Sequence, residues 1–508
     1  MCELCIQAYP DDDVRGGMDN GSCGGLLGCR NRRGLSQSTQ FCRHTRESER
    51  LKAARALASA RFPRFGVNKT QETVRLLYEI SKRDNVTPAA ILRTSPSVNF
   101  AELKECLLHK RFPHASLRGE PSKAFLPKLS LDPAARLVRG PGTFNPKRIM
   151  VEESARNSDL ERRLRDAFPR AVVSEIPSLE AYLSTQEEFG IADYNSRRTT
   201  VFVIRARHDF FKRCPCTNGA VPCGYHIFNL GFGCIYECSY CYLQEYANAP
   251  GIVLPANIEH FFDRFARYTS SPAAVAWRRG TRMRIGTGEF SDSLMLDHLT
   301  EYSLPIVEFF KRHQDALFEF KTKSARIDNL LKAPHAGNIV LSWSLNPQKI
   351  IDEIEWYTAP LSARLNAAAR GAEAGYAIGL HFDPVIHFEG WEKEYAGVIE
   401  EVFDTLQPQN IAWISIGTLR FRPRLKQIIE NRFPDNTILD GELLPGYDRK
   451  LRYPVSTRHA VYNRLMTMLL KHSKKLPVYL CMEDRKMWEM VGLKFPFGGD
   501  QNHNSNHR

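Results

Sequence analysis

From His226 to about Asp484 the chain alternates β-branched and aromatic runs with amphipathic helical stretches, and this alternation narrows the fold more than any other feature. HIFNLGFG, TRMRIGTG, ALFEFKTK, NIVLSWSLN, YAIGLHFDPVI and IAWISIGTLRF read as strands. NIEHFFDRFARY, LPIVEFFKRH, SARLNAAARGAEAG, KEYAGVIEEVFDTL and PRLKQIIENRF read as helices, with Asn257 expected as the N-cap of the first. About six βα units predict an α/β fold whose parallel strands curl into a barrel or partial barrel. In such folds chemistry belongs to the C-terminal strand ends, where the loops converge.

The rest of the 508 residues divides by composition. Residues 1–45 are rich in Gly, Ser, Asn and Asp with no hydrophobic period, so a disordered leader is expected. Residues 46–117 carry three basic helical patterns and form a helical extension, and 118–146, with several Pro and Gly, read as a linker. Residues 147–225 hold KRIMVEE, AVVSEI and TTVFVIRA, an N-terminal α/β segment. The barrel and a C-terminal substrate-binding part span 226–484, and 485–508 form a tail. No apolar run reaches the about 18 residues of a membrane span, and the first residues lack the pattern of a secretory signal. The expectation is a cytoplasmic protein with no membrane partner.

Thirteen cysteines are unevenly spread: five precede residue 45, six fall between Cys214 and Cys241, and Cys106 and Cys481 stand alone. Such clustering points to metal rather than to a disulfide framework. Within GFGCIYECSYCYLQEY, Cys234, Cys238 and Cys241 have the spacing C-x3-C-x2-C on a loop after a strand. Three thiolates can hold three irons of a [4Fe–4S] cubane and leave the fourth iron open. That is the requirement for chelating S-adenosylmethionine (SAM) and passing an electron to its sulfonium. A structural zinc with His226 or Cys223 as fourth ligand, or a cluster with four cysteines, are the competing readings of the same spacing.

Several collinear segments around this loop make the chain similar to one family. FNPKRIMVEE, CPCTNGAVPCGYHIFNLGFGCIYECSYCYLQ, SDSLMLDHLT, FKTKSARIDNLL, SWSLN, AGYAIGLHFDPVIHFEGWEKEY and LRFRPRLKQIIENRFP resemble the spore photoproduct lyase family of radical SAM enzymes, from about Phe144 to Asp484. The resemblance implies a partial (β/α)6 barrel. It also implies a cluster on Cys234, Cys238 and Cys241, SAM as cofactor, and a 5′-deoxyadenosyl radical that acts on a thymine photoproduct in DNA. Tyr240 and Tyr242 match a tyrosine pair implicated in hydrogen relay. Ser291, Asp292, Lys323, Ser344 and Asn346 fall on positions resembling the SAM-side wall. An electron donor such as flavodoxin or ferredoxin is implied as a partner.

The chain departs from the family at one position. Glu289 stands where the lyases carry a cysteine that donates a hydrogen atom, and a carboxyl O–H bond is too strong for that task. Gly286-Thr287-Gly288-Glu289 instead looks like the Gly-Gly-Glu strand end of other radical SAM enzymes, where backbone and carboxylate hold the methionine amino group. Cys214, Cys216 and Cys223 read either as a second metal or hydrogen-donating site or as packing against the cluster. A formal charge of +13, with Arg420, Arg422, Arg424, Arg449, Lys450, Arg452 and Arg458 interleaved with Phe421, Tyr447 and Tyr453, favours a nucleic-acid partner, which the resemblance implies is DNA. A different small substrate, or a metal-stabilised nucleic-acid-binding protein without catalysis, are the alternatives.

Overall fold

The computed structural model describes residues 49–494 apart from 96–98, 116, 118–120, 187–188, 208–210, 246–249 and 272–281. The leader, with its five cysteines, and the end of the tail lie outside the described residues. Four parallel strands form a first sheet: β1 (Arg148–Glu152), β2 (Val172–Ile176), β3 (Thr200–Ile204) and β7 (Ile252–Pro255), in the order β2-β1-β3-β7. The second sheet is the barrel. It contains β4 (Phe211–Arg213), β5 (Tyr225–Phe228), β8 (Met283–Thr287), β9 (Ala316–Thr322), β10 (Ile339–Ser344), β12 (Ala377–Val385), β13 (Ile411–Thr418) and β17 (Val478–Leu480). Their order, β17-β13-β12-β10-β9-β8-β5-β4, follows the chain, and all neighbours are parallel except β4 on β5. Sequential parallel strands require crossovers through helices, as the alternation predicts.

The boundary expected at residue 226 is not a structural one, since β7 joins the first sheet and β4 the second. Asn257 is not the cap of helix Glu259–Thr269, whose N-cap is Ile258. Its buried amide instead accepts from Ala206 N and donates to Ala206 O, both at 2.9 Å, fastening β3 to the helix start. The tail expected from 485 begins with a helix, Arg485–Val491, whose Met487 and Trp488 are buried in the main core.

Side-chain alternation sorts each barrel strand into two faces. Ile285, Phe318, Phe320, Leu341, Ile378, Leu380, Phe382, Ile414 and Ile416 enter the apolar core. Their neighbours turn inward and meet one another. Glu319 Oε1 accepts from Ser342, from His381 Nε2 at 2.7 Å and from Trp413 Nε1 at 3.0 Å, so four strands converge on one carboxylate. Below it Arg284 lies 4.0 Å from the Trp413 ring and donates to the Tyr479 hydroxyl at 3.3 Å. The lumen is polar and filled at this depth, which leaves the C-terminal rim for a site.

The helical extension comprises α1 (49–61), α2 (Val67–Asp84), α3 (Pro88–Arg93) and α4 (Phe100–Arg111), closed over Leu77, Leu103, Leu107 and Phe112. Asn99 caps α4 by accepting from Glu102 N at 3.1 Å. It docks on the barrel helix Pro423–Arg432 through buried charges. Glu79 receives Arg111 Nε and Lys426 Nζ, each at 2.7 Å, and Arg75 also bonds Glu430. The expected linker is strapped to the same helix, with Asp132 N on Asn431 Oδ1 at 2.7 Å and Leu137 N on Arg432 O at 3.0 Å.

Burial opposes ionisation of Glu79, but Lys426, Arg111 and Arg75 outweigh it and hold its carboxyl far below the usual range. Stability from this group is therefore full above its unfolded pKa near 4.5 and is lost only as pH falls well below that. Glu79→Ala leaves three cations without their shared partner, and an unfolding titration at neutral pH should show a loss of about 3–5 kcal/mol. A loss below 1 kcal/mol, on the order of a surface pair, would contradict this role.

Candidate active site at the cysteine loop

Gly231 and Gly233 carry the chain from β5 into the cysteine loop with φ of +138° and +87°. A Cβ on Gly231 would sit 2.4 Å from Val253 O, so the backbone lies against β7 only because no side chain intervenes. The bridge Phe232–Val253 fixes that contact, with N–H to O distances of 3.0 and 2.8 Å.

Beyond it the loop is held from behind by charge. Buried Arg197 donates to Cys234 O at 3.1 Å, to Tyr236 O at 2.8 Å and to Glu237. Glu237, the charged residue between the first two cysteines, is 2% exposed and also receives Arg432 Nη2 at 2.9 Å. Burial works against its ionisation, yet Arg197 and Arg432 keep its carboxyl below the usual range. Gln244 completes the cradle, donating to Ser239 O and Cys241 O at 2.9 Å while accepting from Arg432. The short strand β6 (Glu237–Cys238) pairs antiparallel with β11 (Glu355–Trp356), which sets Cys238 opposite Glu355.

The three thiols face a common space. Burial, then Asp292 and Cys241, push Cys234 up to about 12. Burial raises Cys238 well above an ordinary thiol although Lys323 opposes it, and burial also raises Cys241. Among the described residues, no three His, Cys, Asp or Glu side chains gather tightly enough to grip one metal ion. Three cysteine thiols on one loop are a donor set that suits three irons of a cubane. Nor do the proposed fourth ligands reach them. His226 bonds the Tyr268 hydroxyl at 3.0 Å and stacks on Phe211, while burial and Arg213 lower it to about 4. Cys223 belongs instead with Cys214, Cys216 and Cys481.

Several expected site residues surround the thiols, mostly with their bonds already made. The Tyr240 hydroxyl donates to Glu355, which also receives Arg364 Nη2 at 2.8 Å and Asn346 Nδ2 at 2.9 Å. Lys323 lies 5.8 Å from the Tyr240 ring; burial disfavours its charge, but Glu355 and Cys238 raise its pKa overall. Ser344 gives its carbonyl to Arg364 at 2.7 Å. Asp292 accepts from Leu294 N at 3.0 Å, Thr322 Oγ1 at 2.6 Å and Lys323 N at 2.7 Å, so it is a strut between two strand ends rather than a free ligand. Ser291 lies in the same loop, its carbonyl 3.6 Å from where a Gly288 Cβ would be.

The Gly-Thr-Gly-Glu strand end divides in role. Gly288 needs its glycine, with φ +118°. Gly286 does not open a gap for a cofactor as expected, because the Tyr225 hydroxyl fills the space over its Cα. Glu289 receives Lys212 Nζ at 2.8 Å and Asn229 Nδ2 at 3.1 Å, and its carbonyl accepts from the half-exposed Tyr242 hydroxyl. Its carboxylate thus already holds one ammonium group.

The basic C-terminal residues are less available than the sequence suggests. Arg452 and Arg458 are 1% and 3% exposed and pair with Asp448 and Glu483, and Arg420 pairs with Asp383. Arg422, Arg424 and Arg449 remain exposed, and buried Tyr453 bonds His387 N. Sequence reasoning missed the cradle. A charged Glu237 inside an otherwise apolar cysteine motif was a signal, whereas Arg197 and Arg432 had none, lying 40 and 195 positions away from it.

Residues 144–464 match the profile of the spore photoproduct lyase family. A spore photoproduct lyase of Geobacillus sp. (strain Y412MC61) is 28% identical over 297 residues, 57% of this chain and 83% of that protein. A solved spore photoproduct lyase complexed with dinucleoside spore photoproduct superposes with TM-score 0.56 at 25% identity, over 66% of this chain and 99% of the other. A mutant lyase with bound AdoMet and dinucleoside spore photoproduct shares the fold, with TM-score 0.55 at 23% identity and the same coverage. By a matched span of well over half its length, enclosing the whole cysteine loop, the chain belongs to the spore photoproduct lyase family.

Proposed function

We propose that the chain is a radical SAM enzyme in which Cys234, Cys238 and Cys241 hold a [4Fe–4S] cluster and the substrate is a DNA photolesion. The observation that carries this reading is the loop itself: three thiols on a backbone pinned by Arg197, Gln244 and Arg432, with His226 turned away. When bound, the cluster with SAM on its open iron supplies a 5′-deoxyadenosyl radical.

The chain's own groups bind and orient. Lys323, kept cationic by Glu355, sets positive charge beside Cys238 and offsets the thiolate charge there. Glu355 fixes the Tyr240 hydroxyl, and Tyr242 is fixed on the Glu289 carbonyl, so both rings of the expected relay have defined directions. Glu289 is the acceptor for the SAM amino group, and Lys212 occupies that acceptor until SAM arrives. Arg422, Arg424 and Arg449 offer phosphate contacts, and a lesion must leave the duplex to reach the lumen. A flavodoxin- or ferredoxin-type carrier supplies the electron, and an open iron requires the reducing interior of a cytoplasm. Consumption of Arg420, Arg452 and Arg458 by internal carboxylates favours a second reading, the same chemistry on a smaller substrate.

Anaerobically reconstituted protein given SAM and a strong reductant should release 5′-deoxyadenosine, and Cys238→Ala should release none and lose its iron. Zinc in place of iron in the native protein would remove the proposal. Irradiated DNA should stimulate the wild type, with binding that weakens steeply as salt rises; salt-independent binding favours the smaller substrate. In Arg432→Met the cradle of Glu237 and Gln244 opens, and iron bound after reconstitution should fall several-fold while the barrel stays folded by circular dichroism. Full iron content in that variant would show that the cradle is not required.

A further inference from the structure

The chain's positive charge is not spread evenly along its length. Residues 144–464, the span that matches the family, hold 39 Lys and Arg against 39 Asp and Glu, so the catalytic part is neutral by formal charge. Residues 49–131, which cover the helical extension and part of the linker, hold 16 against 7 and supply +9 of the chain's +13. Some of this charge is internal, since Arg75 and Arg111 are buried on Glu430 and Glu79. Much of the rest faces solvent, including Lys52, Arg61, Arg64, Lys69 and Arg93.

The exposed charge gathers at the corner between α1 and α2. Arg61 ends α1, Arg64 lies in the turn and Lys69 in the first turn of α2, and all three are exposed. Half-buried rings hold this corner in shape. Phe62 stacks on Phe65 with centroids 4.7 Å apart, Phe65 meets Phe100 edge-on at 5.2 Å, and Lys69 Nζ lies 5.4 Å from the Phe100 centroid. Phe62 and Phe65 also pack against the extension's own core. The nearby Glu72 is bonded to Lys104 at 2.7 Å, and among the described residues no carboxylate bonds Arg61, Arg64 or Lys69. Arg420, Arg452 and Arg458 of the barrel, by contrast, each hold an internal carboxylate. From the corner α2 runs to Arg75 and Glu79, which join the barrel helix Pro423–Arg432, so Lys69 stands about 9 Å of helix from that junction.

The stacked rings cover one another's faces, so the corner presents charge rather than surfaces on which bases could stack. Cations without base-reading groups recognise backbone phosphates, whatever the sequence. We propose that the extension is a DNA-docking element, in which Arg61, Arg64 and Lys69 hold backbone phosphates of the duplex outside the lesion. This rests on the DNA reading above. It separates two tasks: the barrel takes the lesion, and the extension holds the flanking duplex.

The test measures binding of a short fluorescein-labelled DNA duplex to the full-length protein by anisotropy over a range of salt. Arg61→Ala/Arg64→Ala/Lys69→Ala should weaken binding roughly tenfold or more and lower the slope of log affinity against log salt by about 2–3, as three lost phosphate contacts require. The reconstituted variant should still match wild type in 5′-deoxyadenosine release with dinucleoside spore photoproduct, which has no flanking phosphates. Wild-type affinity and slope in the variant overturn the assignment and leave the DNA reading intact. Arg61→Lys/Arg64→Lys keeps the charge and should keep binding; a tenfold loss there overturns phosphate recognition. Arg170→Ala/Lys474→Ala/Lys475→Ala removes the same charge from exposed positions off the extension, and a loss as large as in the corner variant overturns the assignment to net charge alone. A wild type that processes the dinucleoside but binds no duplex overturns the inference, and one that does neither removes the DNA reading with it. Preference of the wild type for acidic phospholipid vesicles over the duplex overturns it in favour of a lipid surface.

Discussion

The cysteine loop depends on a single buried carboxylate shared by two arginines. Glu237 lies between the first two cysteines and meets Arg197 from the segment before β3 and Arg432 from the end of a barrel helix. None of the three is more than 2% exposed, and an unpaired charge at such depth would cost several kcal/mol. The pairing therefore holds the loop in one arrangement, and the spare arginine protons cap carbonyls that a cluster-binding turn cannot pair with itself. Three distant pieces of chain are needed to make one rigid thiol platform.

The barrel supplies the second constraint. Its interior is packed by polar groups that bond one another, from Arg284 and Tyr479 up to Glu319 and His381. That packing fills the lower lumen and leaves the strand ends, with the cysteine loop, for chemistry. The same economy explains the fate of the basic residues. An arginine inside the fold must find a carboxylate, and Arg452 and Arg458 find Asp448 and Glu483 instead of facing a ligand. The helical extension obeys the same rule at Glu79, where buried ion pairs join it to the barrel.

Strand and helix identities were legible because alternation and amphipathicity are local. β1, β9, β12 and the helix Pro423–Arg432 fall where their residue patterns place them. The boundaries between segments were not legible, since β7 leaves the barrel stretch to complete the first sheet and the helix Arg485–Val491 packs where a tail was expected. Among the site residues, Tyr240 and Asn346 share Glu355 and Lys323 lies by the Tyr240 ring, but Gly286 faces Tyr225 and Asp292 is spent on strand ends. Residue type announces what a group can do. It does not announce which neighbour takes its bonds.

By itself the sequence determined the α/β character, the thiol spacing and the family, because each is written in short windows or in collinear segments. The tertiary structure alone decided which charges are buried together, that His226 bonds Tyr268, and that Cys223 joins Cys214, Cys216 and Cys481. The physical reason is distance along the chain. Partners such as Glu237 and Arg432, separated by 195 residues, carry no mark of each other until the sheet closes and desolvation forces them to pair.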